Sequence, residues 1–136
     1  TTILSADNYK NDGPDFIKTK EYLTTTKTEL TTKLNRLTEM TSEAEIMKQI
    51  ESKNLDKNYV DLYKKLMLEG ANDDLIKAQS ELKTASDQIT NLLDIEEKVI
   101  NLLSASKGKW VVEGDKIVFQ DTNTLNQYNE LVKSLA

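Results

Sequence analysis

Leu75, Ala78, Leu82, Ala85, Ile89 and Leu92 follow one another at spacings of three, four, three, four and three. An apolar repeat of that period commits the segment to a long helix lying against other helices. It sets an architecture and names no chemistry. The repeat ends where Glu96 reaches its stripe, and a wider patch of Ile95, Val99, Ile100, Leu102 and Leu103 takes over. We therefore read the seam as the spine of a single-chain bundle covered mostly from within, and expect a monomer.

The rest of the pattern supplies the other helices. Residues 1–13 are polar and end in Asn11-Asp12-Gly13-Pro14, so they read as an irregular N-terminal arm before one helical-bundle domain, 14–136. Helix one is expected over about 14–40, with Pro14 at its first position. Its apolar stripe is Phe16, Leu23, Leu30 and Leu37, joined by Ile17, Leu34 and Met40. Helix two, about 43–69, opens on the capping box Ser42-Glu43-Ala44-Glu45. Its register slips across Ser52-Lys53-Asn54, where a kink is expected, and Gly70 would supply a left-handed cap. Helix three, about 72–106, starts at an Asn72 cap followed by Asp73 and Asp74, which suit the positive end of the helix dipole.

The last segment changes period. Trp110 to Phe119 alternates around Gly114-Asp115, which predicts a β-hairpin over 109–120 with Trp110 opposite Phe119 and Val112 opposite Ile117. Trp110, Val112, Ile117 and Phe119 then share one apolar face, to be docked on the broad end of helix three. A short helix over 124–135 follows, with Thr124 and Gln127 as its box and Leu125, Tyr128, Leu131, Val132 and Leu135 as its stripe. The fold class is thus mainly α: an antiparallel three-helix bundle with long helices, a small hairpin and a short C-terminal helix.

Chemistry is sparse. The 136 residues contain no Cys and no His, which removes disulfides, thiolate nucleophiles, imidazole bases and the usual zinc sites. Asp73-Asp74 and Glu96-Glu97 are helical neighbours about 100° apart and cannot share a proton as a dyad. Glu96 is expected to turn toward solvent. Asp121-Thr122-Asn123 opens like a calcium loop, yet Asn126 holds the sixth position where Gly is needed. There is no Gly-rich phosphate loop. We expect no enzyme activity, no cofactor and no metal. Eighteen basic against 23 acidic side chains, a net charge of −5, argue against a nucleic-acid partner. No apolar run approaches the roughly 18 to 20 residues of a membrane span.

That leaves a binding role. Thr24, Thr28 and Thr31 sit in a run of threonines that would give helix one a hydroxyl-lined contact face. Tyr59 and Tyr63 lie one turn apart; Tyr63 is expected in the core and Tyr59 at an exposed, partner-contacting edge.

Seventeen of the 18 basic residues are Lys, Arg36 being the exception, and Asn, Thr and Ile are plentiful. A Lys/Thr/Asn-rich helical domain ending in a hairpin and helix is similar to exported lipoproteins and surface proteins of low-GC Gram-positive bacteria. The similarity is one of composition and carries over no site residue. With a start at Thr1-Thr2-Ile3 and no Met, it leads us to expect an extracytoplasmic protein, secreted or lipid-anchored through a removed N-terminal segment. The expected function is a non-enzymatic binding domain of an exported or surface-tethered bacterial protein, its partner another protein or a cell-wall component. The alternative is a cytoplasmic acidic partner-binder, an immunity protein or effector chaperone.

Overall fold

A computed structural model describes residues 2–69 and 72–135. The chain is a mainly α helical bundle with a small hairpin and a C-terminal helix, as expected. Its elements are α1 (Ala6–Asp12), α2 (Ile17–Met40), α3 (Glu43–Glu51), α4 (Lys57–Lys64) running into a π-helical turn (Lys65–Glu69), α5 (Asn72–Ala105), β1 (Trp110–Glu113), β2 (Lys116–Phe119) and α6 (Thr122–Lys133). Two compact units divide it: Thr1–Thr28 with Gln88–Ala136, and Glu29–Asp87.

The first unit holds the core. Of the eleven buried apolar residues among those described, all but Ile50 belong to it. Leu93, Ile95, Val99, Ile100 and Leu103, the broad end of α5, are buried as the sequence predicts. Phe16, Leu23 and Trp110 are buried with them. The Trp110 ring stacks on Phe16 at 5.9 Å between centroids, and its Nε1 donates to the Leu103 carbonyl at 2.7 Å. That bond satisfies the one polar atom the indole brings into the interior. The hairpin has the predicted register, Trp110 opposite Phe119 and Val112 opposite Ile117. Gly114, first in its turn, takes φ +58, a conformation that costs Gly least.

The N-terminal arm is not irregular. Residues 6–12 form α1, because Ser5 Oγ accepts from the Asn8 backbone at 3.2 Å and Tyr9 is buried against Phe16 and Trp110. Pro14 does not open helix one. Phe16 takes φ +54 and α2 begins at Ile17. Its first turn is closed from upstream by Asp12, whose carboxylate accepts from the Lys18 and Thr19 backbone N–H groups at 3.2 and 2.7 Å and from the Thr19 hydroxyl at 2.7 Å. Asn8 Nδ2 adds a bond to the same Thr19 hydroxyl at 3.0 Å. This network buries Thr19 beside Leu23, while Ile17 is exposed.

Polar bonds fix α2 antiparallel to α5 within this unit. Lys20 Nζ donates to Ser104 Oγ at 2.9 Å, and Lys27 Nζ lies 2.6 Å from both Asp94 Oδ1 and Glu97 Oε2. For α6 the cap is Asp121 and not Thr124: the Asp121 carboxylate accepts from both the Thr124 N–H and its hydroxyl at 2.8 Å. Thr124 is accordingly buried and Leu125 exposed.

In the second unit, Ser42 caps α3 through the Glu45 N–H at 3.2 Å, and the expected kink separates α3 from α4, with Asn54 at φ +49. The Gly70 cap lies outside the described residues, as does the Asn72 side chain; α5 opens with Asp73 and Asp74 in its first turn. Gln79 Nε2 donates to Thr41 Oγ1 at 2.7 Å and ties α5 to the end of α2.

The opening seam departs most from expectation. Leu82, Ile89 and Leu92 are 40, 46 and 45 % exposed, Ala78 and Ala85 are exposed, and the buried residue of that stretch is Ser86. The seam is a stripe on α5, but from Ala78 to Leu92 its side chains stay exposed, and only Leu75 is partly covered.

Candidate functional site

An apolar surface left open is the second unit's most informative property, because large side chains stay in water only where nothing else covers them. Residues of α2, α3, α4 and α5 build it. α4 carries Tyr59 and Leu62, three residues apart, and the π-helical turn that follows carries Leu66. They are 57, 50 and 57 % exposed, among the most open large apolar residues of the molecule. Tyr63 of α4 and Met67 of the π-helical turn, themselves exposed, line with Ile46 and Ile50 of α3 and with Leu55 a groove of about 530 Å³. A second groove, about 540 Å³, is formed by Leu34 and Leu37 of α2 and by Leu75, Ala78 and Leu82 of α5.

These placements sort the expected contact residues. Tyr59 is exposed, and so is Tyr63, which lines the α3–α4 groove and does not enter the core as expected, because no element among the described residues closes over that side of the helix. Thr24, Thr28 and Thr31 are exposed on α2. Thr24 and Thr28 lie in the first unit, and their hydroxyls donate to the carbonyls of Lys20 and Thr24, four residues back, at 2.9 Å each. Such back-bonding turns the hydroxyl proton to the helix's own backbone. Thr31 lies in the second unit and lines neither groove. What the sequence did not single out is the pair Leu62 and Leu66. Its signal was present: Tyr59, Leu62, Tyr63 and Leu66 together span more than one face of a single helix.

The titratable groups that the fold perturbs lie in the first unit. The Tyr9 and Tyr128 hydroxyls meet at 3.3 Å, and burial, then that bond, pushes ionisation of the Tyr9 phenol far up. Glu96, half-buried, contributes to that upward push, and burial raises its own carboxyl above the usual range. Burial opposes the charge on Asp12, but the Thr19 and Lys18 hydrogen bonds outweigh it and hold the carboxyl below its usual range. Likewise the two carboxylates on Lys27 overcome its desolvation and raise it. Tyr9, Asp12 and Lys27 are bonded into the fold. Among the described residues no three carboxylates converge on a cation position, and no helix is long and apolar enough to cross a membrane.

No protein-family model matches the chain, and neither a curated protein nor a solved structure matches it.

Proposed function

We propose that this chain is a non-enzymatic helical interaction domain of an exported or surface-tethered bacterial protein, and that its partner is a protein. The observation that carries the reading is the exposed Tyr59, Leu62 and Leu66 of α4 and its π-helical turn, in a unit that also holds two open apolar grooves. An amphipathic helix face against an apolar groove is a recurrent mode of protein recognition. A wall polysaccharide would instead call for a cleft rich in hydrogen-bonding groups, so between the two expected partners the surface favours protein. Export rests on composition: a Cys-free chain whose basic residues are Lys in all but one case.

A photo-crosslinking residue in place of Tyr59, introduced in the producing bacterium, tests both parts. The reading predicts a discrete protein adduct in the extracytoplasmic fraction, lost when Leu62 and Leu66 are also changed to Ser. Absence of any protein adduct overturns the interaction role, and recovery in the cytoplasm overturns export.

A further inference from the structure

We infer that β1 accepts a third, antiparallel strand: an extended peptide segment of a partner, acidic on one face and apolar on the other, laid along the hairpin's open edge beside α1. The site uses the first unit alone, so it stands or falls independently of the reading above.

The ladder fixes which backbone groups are open. In an antiparallel pair, residues that exchange hydrogen bonds alternate with residues that do not. Glu113 and Lys116 flank a two-residue turn, and the Gln120 N–H donates to the Lys109 carbonyl at 2.8 Å. Both ends give the same phase. Glu113 and Val111 turn their N–H and C=O toward β2, as the Lys109 carbonyl does, and Trp110 and Val112 turn theirs away. Among the described residues nothing bonds to those outward groups of Trp110 and Val112, although Trp110 is only 8 % exposed. Buried main-chain groups are nearly always paired.

The space beside them suits a slender occupant. A groove of about 340 Å³ brings Lys10, Gly13 and Pro14 alongside Trp110, Val111 and Val112. An extended backbone supplies donors and acceptors at the two-residue repeat that these groups need, which is how peptides add to sheet edges. An antiparallel one lets Trp110 and Val112 each exchange both bonds with a single residue. The β2 edge is less suited: the groove beside it reaches only Ile117 of the strand and carries Asp7 and Asp115, and Phe119 packs on Tyr128 of α6 at 5.0 Å.

The flanks select the side chains. α1 stands on the Trp110 face of the hairpin, where Tyr9 meets the indole, so residues of the added strand on that face meet Lys10. Lys10 is exposed and forms no ion pair among the described residues. Residues on the other face lie beside Val111, which is exposed and pairs with exposed Val118. Same-face neighbours across strands stabilise pairing, so the fitting segment alternates acidic toward Lys10 and apolar toward Val111.

The whole chain titrated with the capped peptide Glu-Val-Glu-Val-Glu-Val to about 1 mM, with backbone amides followed by NMR, tests the inference. The Trp110 and Val112 amides should shift furthest and become shielded from solvent exchange. N-methylation of the peptide's glutamates, whose N–H groups face β1, should abolish binding. N-methylation of its valines, whose N–H groups face away, should leave binding in place. Lys10→Glu should weaken binding about two- to fivefold, and Lys-Val-Lys-Val-Lys-Val should bind that variant better than the parent. The methylated pair leaves the protein untouched, so the test does not depend on how the variant folds. No shift at Trp110 and Val112, or equal sensitivity to the two methylated peptides, overturns the inference.

Discussion

Phe16 carries two burdens that substitution can separate. Its ring is fully buried, stacked on Trp110 at 5.9 Å and edge-on to Tyr9 at 6.0 Å. Its backbone sits at φ +54, held by a bond from its N–H to Asp12 and one to its carbonyl from Lys20. Phe16→Ala removes the ring and should cost about 3–5 kcal/mol, of which the two ring pairs account for about 0.5–1.5 each. Against a total of about 5–15 kcal/mol that is a large fraction. Phe16→Gly removes the same ring and one carbon more, but it also relieves the left-handed backbone, worth about 1–2 kcal/mol for an L residue. The greater freedom of Gly in the unfolded chain returns about 0.5–1 kcal/mol of that. The Gly variant should therefore match the Ala variant or exceed it by up to about 1 kcal/mol. Urea unfolding followed by the emission of Trp110, the single tryptophan, measures both. Should Ala prove the more stable by about 0.5–1 kcal/mol, the order found at ordinary positions, the assigned backbone at Phe16 is refuted.

Three further outcomes follow from the first unit. Gly13→Ala should cost about 1–3 kcal/mol, because a Cβ there meets the Tyr9 carbonyl and comes within 3.0 Å of Trp110 and 3.1 Å of Phe16; thermal unfolding reads it. Asp12→Ala should lose about 1 kcal/mol of capping at neutral pH. Because the folded carboxyl titrates below its unfolded value of about 3.9, Asp12 stabilises fully above that pH and ever less as pH falls through the folded value. The gap between parent and variant should thus close in acid, and a gap independent of pH would contradict the assignment. Glu96 has the opposite sign: burial raises its folded value, so its contribution is best while protonated and is lost as pH rises. Glu96→Gln should be more stable than the parent at neutral pH and equal to it near pH 4, by denaturant titration at each pH.

How far the sequence could be read depends on what kind of rule governs each part. The hairpin was legible to the residue, because a two-residue Gly114-Asp115 turn dictates every pair between Trp110 and Phe119. The break after Ile50 was legible because a register slip has no other remedy in one helix. α1 was not: seven residues with only Ala6 and Tyr9 apolar show no period, and what holds them is the Ser5 cap, the Asn8–Thr19–Asp12 network and the burial of Tyr9. Likewise the turn into α2 depends on Asp12 reaching forward to Thr19, an interaction between sequence neighbours that composition does not announce. The seam shows the limit of periodicity. Spacing says that Leu75 to Leu92 form one face; it says nothing of what lies against it, and Ser86 turns inward where Leu82 and Ile89 stay out. The same limit hid the candidate site apart from Tyr59: Leu62, Tyr63 and Leu66 looked like core because they are apolar.

The account turns on that contrast: a first unit with its own buried core, and a second whose large apolar residues stand mostly in water. Residue-resolved hydrogen exchange tests it most directly. Amides of Val99, Ile100, Leu103 and the hairpin ladder should be the slowest in the chain, and those of α3 and α4 faster by orders of magnitude. Equal protection of both units would contradict the account.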